Sequence, residues 1–129
     1  MKPKKSLGQN FLNDTNVLMK IIDIGNISSE DMILEIGPGT GNLTKEIIKK
    51  KPKKIIVIEK DNYLSNILYK KYGNKIEIIN KDVLKCFKEF KKDKQIIVFG
   101  NLPYNISTKI LISFIKLDNL QYNFRKFIF

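Results

Sequence analysis

The chain has 129 residues, of which 43% are hydrophobic, and this is enough for one domain with a buried core. Its single cysteine, Cys86, excludes an intrachain disulfide and a multi-cysteine metal site, and the absence of histidine removes the commonest general base and the usual metal ligand. No apolar run approaches the ~20 residues of a membrane span, and the basic N-terminus lacks the apolar segment of a signal peptide. We therefore expect a cytoplasmic protein with no membrane partner and no bound metal.

The net charge of +11 has two interpretations. It suits a nucleic-acid partner, because lysine and arginine neutralise backbone phosphates. It also suits an AT-rich genome, since the codons of the abundant Lys, Ile and Asn are rich in A and T, and scattered lysines usually form a solvated surface. Charge alone leaves the partner open.

Short apolar runs alternate with amphipathic runs along the chain. Five helices are predicted. Asn13 or Asp14 caps the first, which Gly25 ends; the second is Leu43–Ile48; and Asp61 or Asn62 caps the third, which Gly73 closes. The fourth is Val83–Phe90, and Ser107 or Thr108 caps the fifth. The predicted strands are Met32–Ile36, Lys54–Ile58, Ile76–Ile79, Gln95–Phe99 and Phe124–Phe129. This alternation predicts an α/β fold whose doubly wound, mostly parallel sheet carries helices on both faces.

Three glycines follow the first strand at alternate positions, Gly37, Gly39 and Gly41. They allow a sharp turn and let a ligand approach the backbone closely, next to the unpaired amides of the following helix. The spacing differs from the G-x-G-x-x-G of dinucleotide-binding dehydrogenases, which disfavours a nicotinamide-dependent oxidoreductase. With Glu35 two residues before the first glycine, the stretch resembles motif I of the class I S-adenosylmethionine-dependent methyltransferases. A tight strand-to-helix turn without a ligand is the alternative.

Polar residues also follow the other predicted strands, where ligands bind in open parallel sheets. Glu59 ends the second strand, 22 positions after Gly37, and could accept hydrogen bonds from ribose hydroxyls; the alternative is an exposed strand terminus. Asp82 follows the third strand and could accept from an adenine amino group, or cap the next helix, or do both.

The stretch Asn101-Leu102-Pro103-Tyr104 follows the fourth strand and predicts chemistry on a base. An exocyclic amine is a poor nucleophile because its lone pair is delocalised into the ring. The Asn101 side-chain oxygen and a backbone carbonyl near Leu102 or Pro103 could hold both amine hydrogens, while Pro103 stiffens the loop and Tyr104 stacks on the extruded base. Such a site works by positioning and electrostatics and needs no histidine. A turn with Tyr104 in the core is the alternative.

Three segments together resemble the small-subunit ribosomal RNA adenine dimethyltransferase family. They are Leu7–Leu12 (L-G-Q-N-F-L), Glu35–Gly41 (E-I-G-P-G-T-G) and Gly100–Ser107 (G-N-L-P-Y-N-I-S). The resemblance implies a Rossmann-like class I methyltransferase fold and dimethylation, with S-adenosylmethionine as cofactor, of two adjacent adenosines near the 3′ end of small-subunit rRNA. It also implies a monomer that acts in ribosome biogenesis.

The resemblance also assigns roles to residues. Residues 1–12, which composition alone would call a frayed terminus, are implied to fold over the active site. The implied cofactor-binding residues are Asn10, Leu12, Gly37, Glu59, Asp82 and Asn101, and the implied catalytic residues, which hold the target adenine, are Asn101, Leu102, Pro103 and Tyr104.

Length is the departure from the family, whose members run to about twice this chain. We expect residues 1–129 to form an incomplete catalytic domain, truncated after strand five, without the last strands and the helical rRNA-binding domain. A fragment, a truncated reading frame and a piece completed by another chain are the open explanations of this length. The same motifs are compatible with two alternatives. One is a large-subunit rRNA adenine methyltransferase of the macrolide-resistance type, and the other is a non-catalytic rRNA-binding or assembly factor.

Overall fold

The computed structural model describes residues 15–85, 96–100, 109 and 124–128. In these ranges the helices and strands are α1 (Thr15–Gly25), β1 (Met32–Ile36), α2 (Asn42–Lys49), β2 (Lys54–Ile58), α3 (Asn62–Tyr72), β3 (Glu77–Ile79), β4 (Ile96–Gly100) and β5 (Phe124–Ile128). Short 3₁₀ turns occupy Gly73–Lys75 and Val83–Lys85.

The predicted strands are confirmed with small changes of boundary. The first two strands have the predicted bounds, and β3 begins one residue late. Strand β4 extends to Gly100, because Gly100 pairs with Ile36 in the ladder. The predicted helix Val83–Phe90 begins as a 3₁₀ turn, and its remainder lies outside the described residues, as do the caps Asn13, Asp14, Ser107 and Thr108.

Gly25 ends α1, as predicted, and it also has a packing role that the sequence did not indicate. It is the last residue of α1 and is buried, and a Cβ there would lie 2.7 Å from Cζ of Phe99. The left-handed conformation that commonly follows a helix falls instead on Asn26, with φ of 47°. Close packing of α1 against the sheet therefore requires this glycine, whereas termination of the helix does not.

The five strands form one parallel sheet in the order β3-β2-β1-β4-β5. The chain moves outward from β1 to β3 and then returns to the other side of β1 at β4. Strand order therefore reverses between β1 and β4, and ligands bind at such a point in open α/β sheets.

Both faces of the three central strands β2, β1 and β4 are buried, as predicted for continuously apolar parallel strands. One face carries Ile33, Val57 and Phe99, which join one core cluster with residues of α1, α2 and α3. The other face carries Leu34, Ile58 and Val98, each at most 2% exposed. Among the described helices, none is long and apolar enough to cross a membrane.

Candidate functional site

The loop between β1 and α2, Gly37–Gly41, opens at the carboxyl edge of the sheet and is called here the glycine loop. All three of its glycines have positive φ, at 64°, 60° and 90° for Gly37, Gly39 and Gly41. The Gly37 N–H donates to the Ile58 carbonyl at 2.9 Å, which ties the start of the loop to β2. The Gly41 N–H donates to the Pro38 carbonyl at 3.0 Å and closes the turn. Glycine is required here because other residues rarely adopt this backbone conformation.

The space around two of these glycines differs. A Cβ on Gly41 would lie 2.8 Å from Cδ2 of Leu68 and 3.1 Å from Cε2 of Tyr72, so packing against α3 excludes a side chain there. Among the described residues, a Cβ on Gly39 would meet no atom within 4 Å. Packing of the described residues therefore does not fill the space at Gly39, and a ligand can approach the Gly39 backbone from that side. The accessible backbone at Gly39 fits a cofactor that needs close contact with the loop.

Glu59 follows β2 and is 7% exposed, so its interpretation as an exposed strand terminus is wrong. Its carboxylate accepts the Asp61 N–H at 3.0 Å. Burial raises the pKa of Glu59, and the nearby backbone N–H groups of Asp61, Gly39 and Lys60 counter part of that effect. The contribution of the Gly39 N–H means that the Glu59 carboxylate lies close to the glycine loop. The contact of Glu59 with a cofactor stays a prediction.

Two residues that sequence reasoning missed hold the backbone at Glu59. The Asn80 side-chain amide donates to the Glu59 carbonyl at 2.8 Å and to the Lys60 carbonyl at 3.1 Å. The Ser65 hydroxyl donates to the same Glu59 carbonyl at 3.2 Å. Asn80 lies just beyond β3, and this position at the end of a predicted strand could have identified it as a site residue from the sequence.

Asp61 caps α3, as predicted, and its carboxylate accepts the Leu64 N–H at 3.0 Å. This bond fixes the first turn of the helix directly after Glu59. Asp61 therefore positions both neighbours: its N–H holds the Glu59 carboxylate, and its side chain holds the first turn of α3.

A second buried acid lies below the glycine loop. Glu35 is 2% exposed, and its carboxylate accepts a hydrogen bond from the hydroxyl of Thr44, which is fully buried in the first turns of α2. Burial raises the pKa of Glu35 to about 7, the Thr44 bond lowers it, and the nearby Glu59 raises it. Sequence reasoning included Glu35 in the motif but gave neither Glu35 nor Thr44 a role.

Asp82 lies half-buried beyond β3, directly before the 3₁₀ turn Val83–Lys85, and its carbonyl accepts the Lys85 N–H at 2.9 Å. The structure therefore places Asp82 at the predicted edge and in the position that precedes a helical turn. Its contact with adenine stays a prediction.

The remaining predicted site residues lie outside the described ranges: Asn10, Leu12, Asn101, Leu102, Pro103 and Tyr104. Strand β4 nevertheless ends at Gly100, directly before Asn101, and pairs with β1 through Ile36. Within the described ranges no group of three or more acidic or cysteine residues is arranged to hold a metal ion.

The strand order, the glycine loop and the nearby carboxylate define a Rossmann-like domain of the class I S-adenosylmethionine-dependent methyltransferases. Residues 1–129 match the family described as "Ribosomal RNA adenine dimethylase". The chain belongs to this family, which confirms the resemblance drawn from its motifs.

Individual relatives agree with the family. The chain is 55% identical over 115 residues to the ribosomal RNA small subunit methyltransferase A of Pelagibacter ubique, covering 89% of this chain and 44% of that protein. A dimethyladenosine transferase structure from Plasmodium falciparum matches with a TM-score of 0.68 and 32% identity, over 80% of this chain and 37% of that one. The 23S rRNA methyltransferase ErmE matches with a TM-score of 0.66 and 25% identity, over 78% of this chain and 40% of that one. The chain spans less than half the length of each of these three proteins.

Proposed function

We propose that this chain carries the cofactor site for a transfer of methyl groups from S-adenosylmethionine to adenosines of small-subunit rRNA. The acceptors are the exocyclic amines of two adjacent adenosines near the 3′ end. The observation that carries the proposal is the buried Glu59 carboxylate at the carboxyl end of β2, beside a glycine loop that has open space at Gly39 among the described residues. The higher identity to a small-subunit methyltransferase than to the 23S enzyme supports the choice of RNA.

The described residues fit the proposed cofactor. Glu59 supplies a carboxylate for ribose hydroxyls, and the glycine loop supplies backbone that can be approached closely. Asp82 stands at the same edge, where its carboxylate can accept from the adenine amine. When bound, S-adenosylmethionine supplies a methyl group on a positively charged sulfur.

The acceptor side of the proposal rests on the sequence Asn101-Leu102-Pro103-Tyr104. The Asn101 oxygen and a neighbouring backbone carbonyl accept the two amine hydrogens, so the nitrogen lone pair points towards the methyl donor. Tyr104 stacks on the base. Asn10 and Leu12 close over the cofactor. We further propose that the protein acts in the cytoplasm as a monomer, with the small-subunit precursor as its partner.

We expect the 129-residue chain to bind S-adenosylmethionine with one-to-one stoichiometry in a calorimetric titration. Glu59→Ala should abolish or weaken that binding by at least about tenfold, because it removes the acceptor for two ribose hydroxyls.

Glu77→Ala is the matched control for the cofactor titration. Glu77 pairs with Lys54 at 3.2 Å, and both side chains are about half exposed, so its loss costs little stability. Equal affinities of the two variants, both folded by circular dichroism, would contradict the role of Glu59.

The RNA substrate is tested by offering the protein rRNA from both ribosomal subunits. We expect it to methylate small-subunit rRNA at two adjacent adenosines, and Asn101→Ala should reduce the rate by at least about a hundredfold, as does loss of a polar group that stabilises the transition state. Mapping methyl groups on both rRNAs is the measurement. Modification confined to large-subunit rRNA would overturn the substrate, and an unchanged rate in Asn101→Ala would overturn the mechanism.

A further inference from the structure

Glu35 and Thr44 stand on either side of the glycine loop. Glu35 precedes Gly37 by two residues in β1, and Thr44 follows Gly41 by three residues in α2. The hydrogen bond from the Thr44 hydroxyl to the Glu35 carboxylate therefore joins the strand that enters the loop to the helix that leaves it.

Stability alone does not explain an acid at this position. Glu35 lies on the face of the sheet that carries Ile33, and Val57 and Phe99 are its register partners on the two neighbouring strands. All three of these apolar residues are fully buried. Burial in these surroundings raises the pKa of Glu35 to about 7, which means that the charged form is disfavoured. An apolar side chain of similar size would avoid that cost.

The far end of the loop has ties of its own to α3. The Tyr72 hydroxyl donates to the Gly41 carbonyl at 3.1 Å, and the Lys71 ammonium donates to the Thr40 carbonyl at 3.2 Å. The Lys71 contact is exposed, whereas the Glu35–Thr44 bond is buried and shielded from water. Of these three side-chain bonds, the one between Thr44 and Glu35 is the most shielded from water, so it can add to the rigidity that the backbone bonds give the loop.

We propose that Glu35 and Thr44 are positioning residues, whose buried hydrogen bond holds the glycine loop in the shape that receives the cofactor. They act through the loop backbone and require no contact with the ligand. Among the described residues the loop is open at Gly39, so a bond that holds this shape lowers the cost of ordering the loop upon binding. The effect of the bond on cofactor affinity rests on the proposed function. Its effect on the order of the ligand-free loop does not.

The test is amide hydrogen exchange of the ligand-free chain, with Thr44→Val and Thr44→Ser as a matched pair. Valine keeps the shape of threonine but cannot donate, and serine restores the hydroxyl. We expect the Gly41 amide, which is bonded to Pro38, to exchange about tenfold faster in Thr44→Val and at the original rate in Thr44→Ser. The amide of Val57 in the sheet core should be unchanged.

Glu35→Gln keeps an acceptor for the Thr44 hydroxyl and should leave the protection of Gly41 close to that of the original chain. A Gly41 amide that is unchanged in Thr44→Val would overturn the proposal. So would an equal acceleration at Gly41 and Val57, because it would show that the bond stabilises the whole domain without acting on the loop.

Affinity for S-adenosylmethionine gives the second readout. We expect Thr44→Val to bind about tenfold more weakly and Thr44→Ser to recover the original affinity. Undiminished affinity in a Thr44→Val chain with a loosened loop would overturn the proposed positioning role. If the original chain fails to bind, the proposed function of the site fails, and hydrogen exchange still decides whether the bond holds the loop.

Discussion

Titration of Glu35 is expected to lower the free energy of unfolding by about 3 kcal/mol as the pH rises from about 4.5 to about 7. Its pKa is raised from 4.5 to about 7 in the folded chain. Between these values the unfolded chain has lost the proton and the folded chain retains it. Folding therefore takes up a proton in this window, and a rising pH opposes it. Above about pH 7 both states are ionised, and the loss is complete. Urea unfolding at several pH values measures the change.

Glu35→Gln is the control for this pH dependence, because its amide is neutral at every pH. Its uniform effect on stability is separate from the prediction, which concerns the slope against pH. In Glu35→Gln the free energy of unfolding should fall less steeply with rising pH, but it should still fall. The reason is that burial also raises the pKa of Glu59, which lowers stability as the pH rises in the same way. Parallel curves for Glu35→Gln and the original chain would show that the buried carboxyl does not titrate as predicted.

Gly39→Ala is expected to abolish cofactor binding while the domain stays folded. The added Cβ meets no atom of the described residues within 4 Å, so the expected cost to folding is the backbone strain of φ at 60°, roughly 1–2 kcal/mol. The same Cβ occupies the space through which a ligand approaches the loop. Affinity for S-adenosylmethionine should fall by at least about a hundredfold, a loss of about 2.7 kcal/mol or more. Calorimetric titration and urea unfolding of the same variant separate binding from stability.

Gly73→Ala is the matched variant for Gly39→Ala. Gly73 also has positive φ, at 54°, and a Cβ there also meets no atom within 4 Å, but it follows the last residue of α3 instead of lying in the loop. We expect it to lose stability and to keep its affinity. Retained affinity in Gly39→Ala would show that the space at Gly39 does not receive the cofactor.

The two predictions separate two properties of the site. The pH dependence measures the cost of a charge in the sheet core beneath the loop. The glycine pair measures the need for open space above the loop. A site that binds through close backbone contact requires both a rigid support and an unobstructed approach.

The sequence by itself determined the described strands and the glycine loop that follows the first of them. Apolar runs such as Met32–Ile36 and Lys54–Ile58 predicted the strands, because side chains buried on both faces of a parallel sheet leave a continuous local pattern. The alternate glycines predicted the loop, because positive φ is a local property of the backbone. The three motifs together identified the family, which the matching description over residues 1–129 confirms.

The tertiary structure alone decided what each of these residues contacts. The Tyr72 hydroxyl reaches the Gly41 carbonyl 31 residues away, and the Asn80 amide reaches the Glu59 carbonyl 21 residues away. Gly25 is small because Phe99 of a distant strand packs against it. These contacts depend on the order in which strands pair and on the helices packed against them. No local periodicity records that order, so the burial of Glu59 and the bond between Glu35 and Thr44 could be found only in the folded chain.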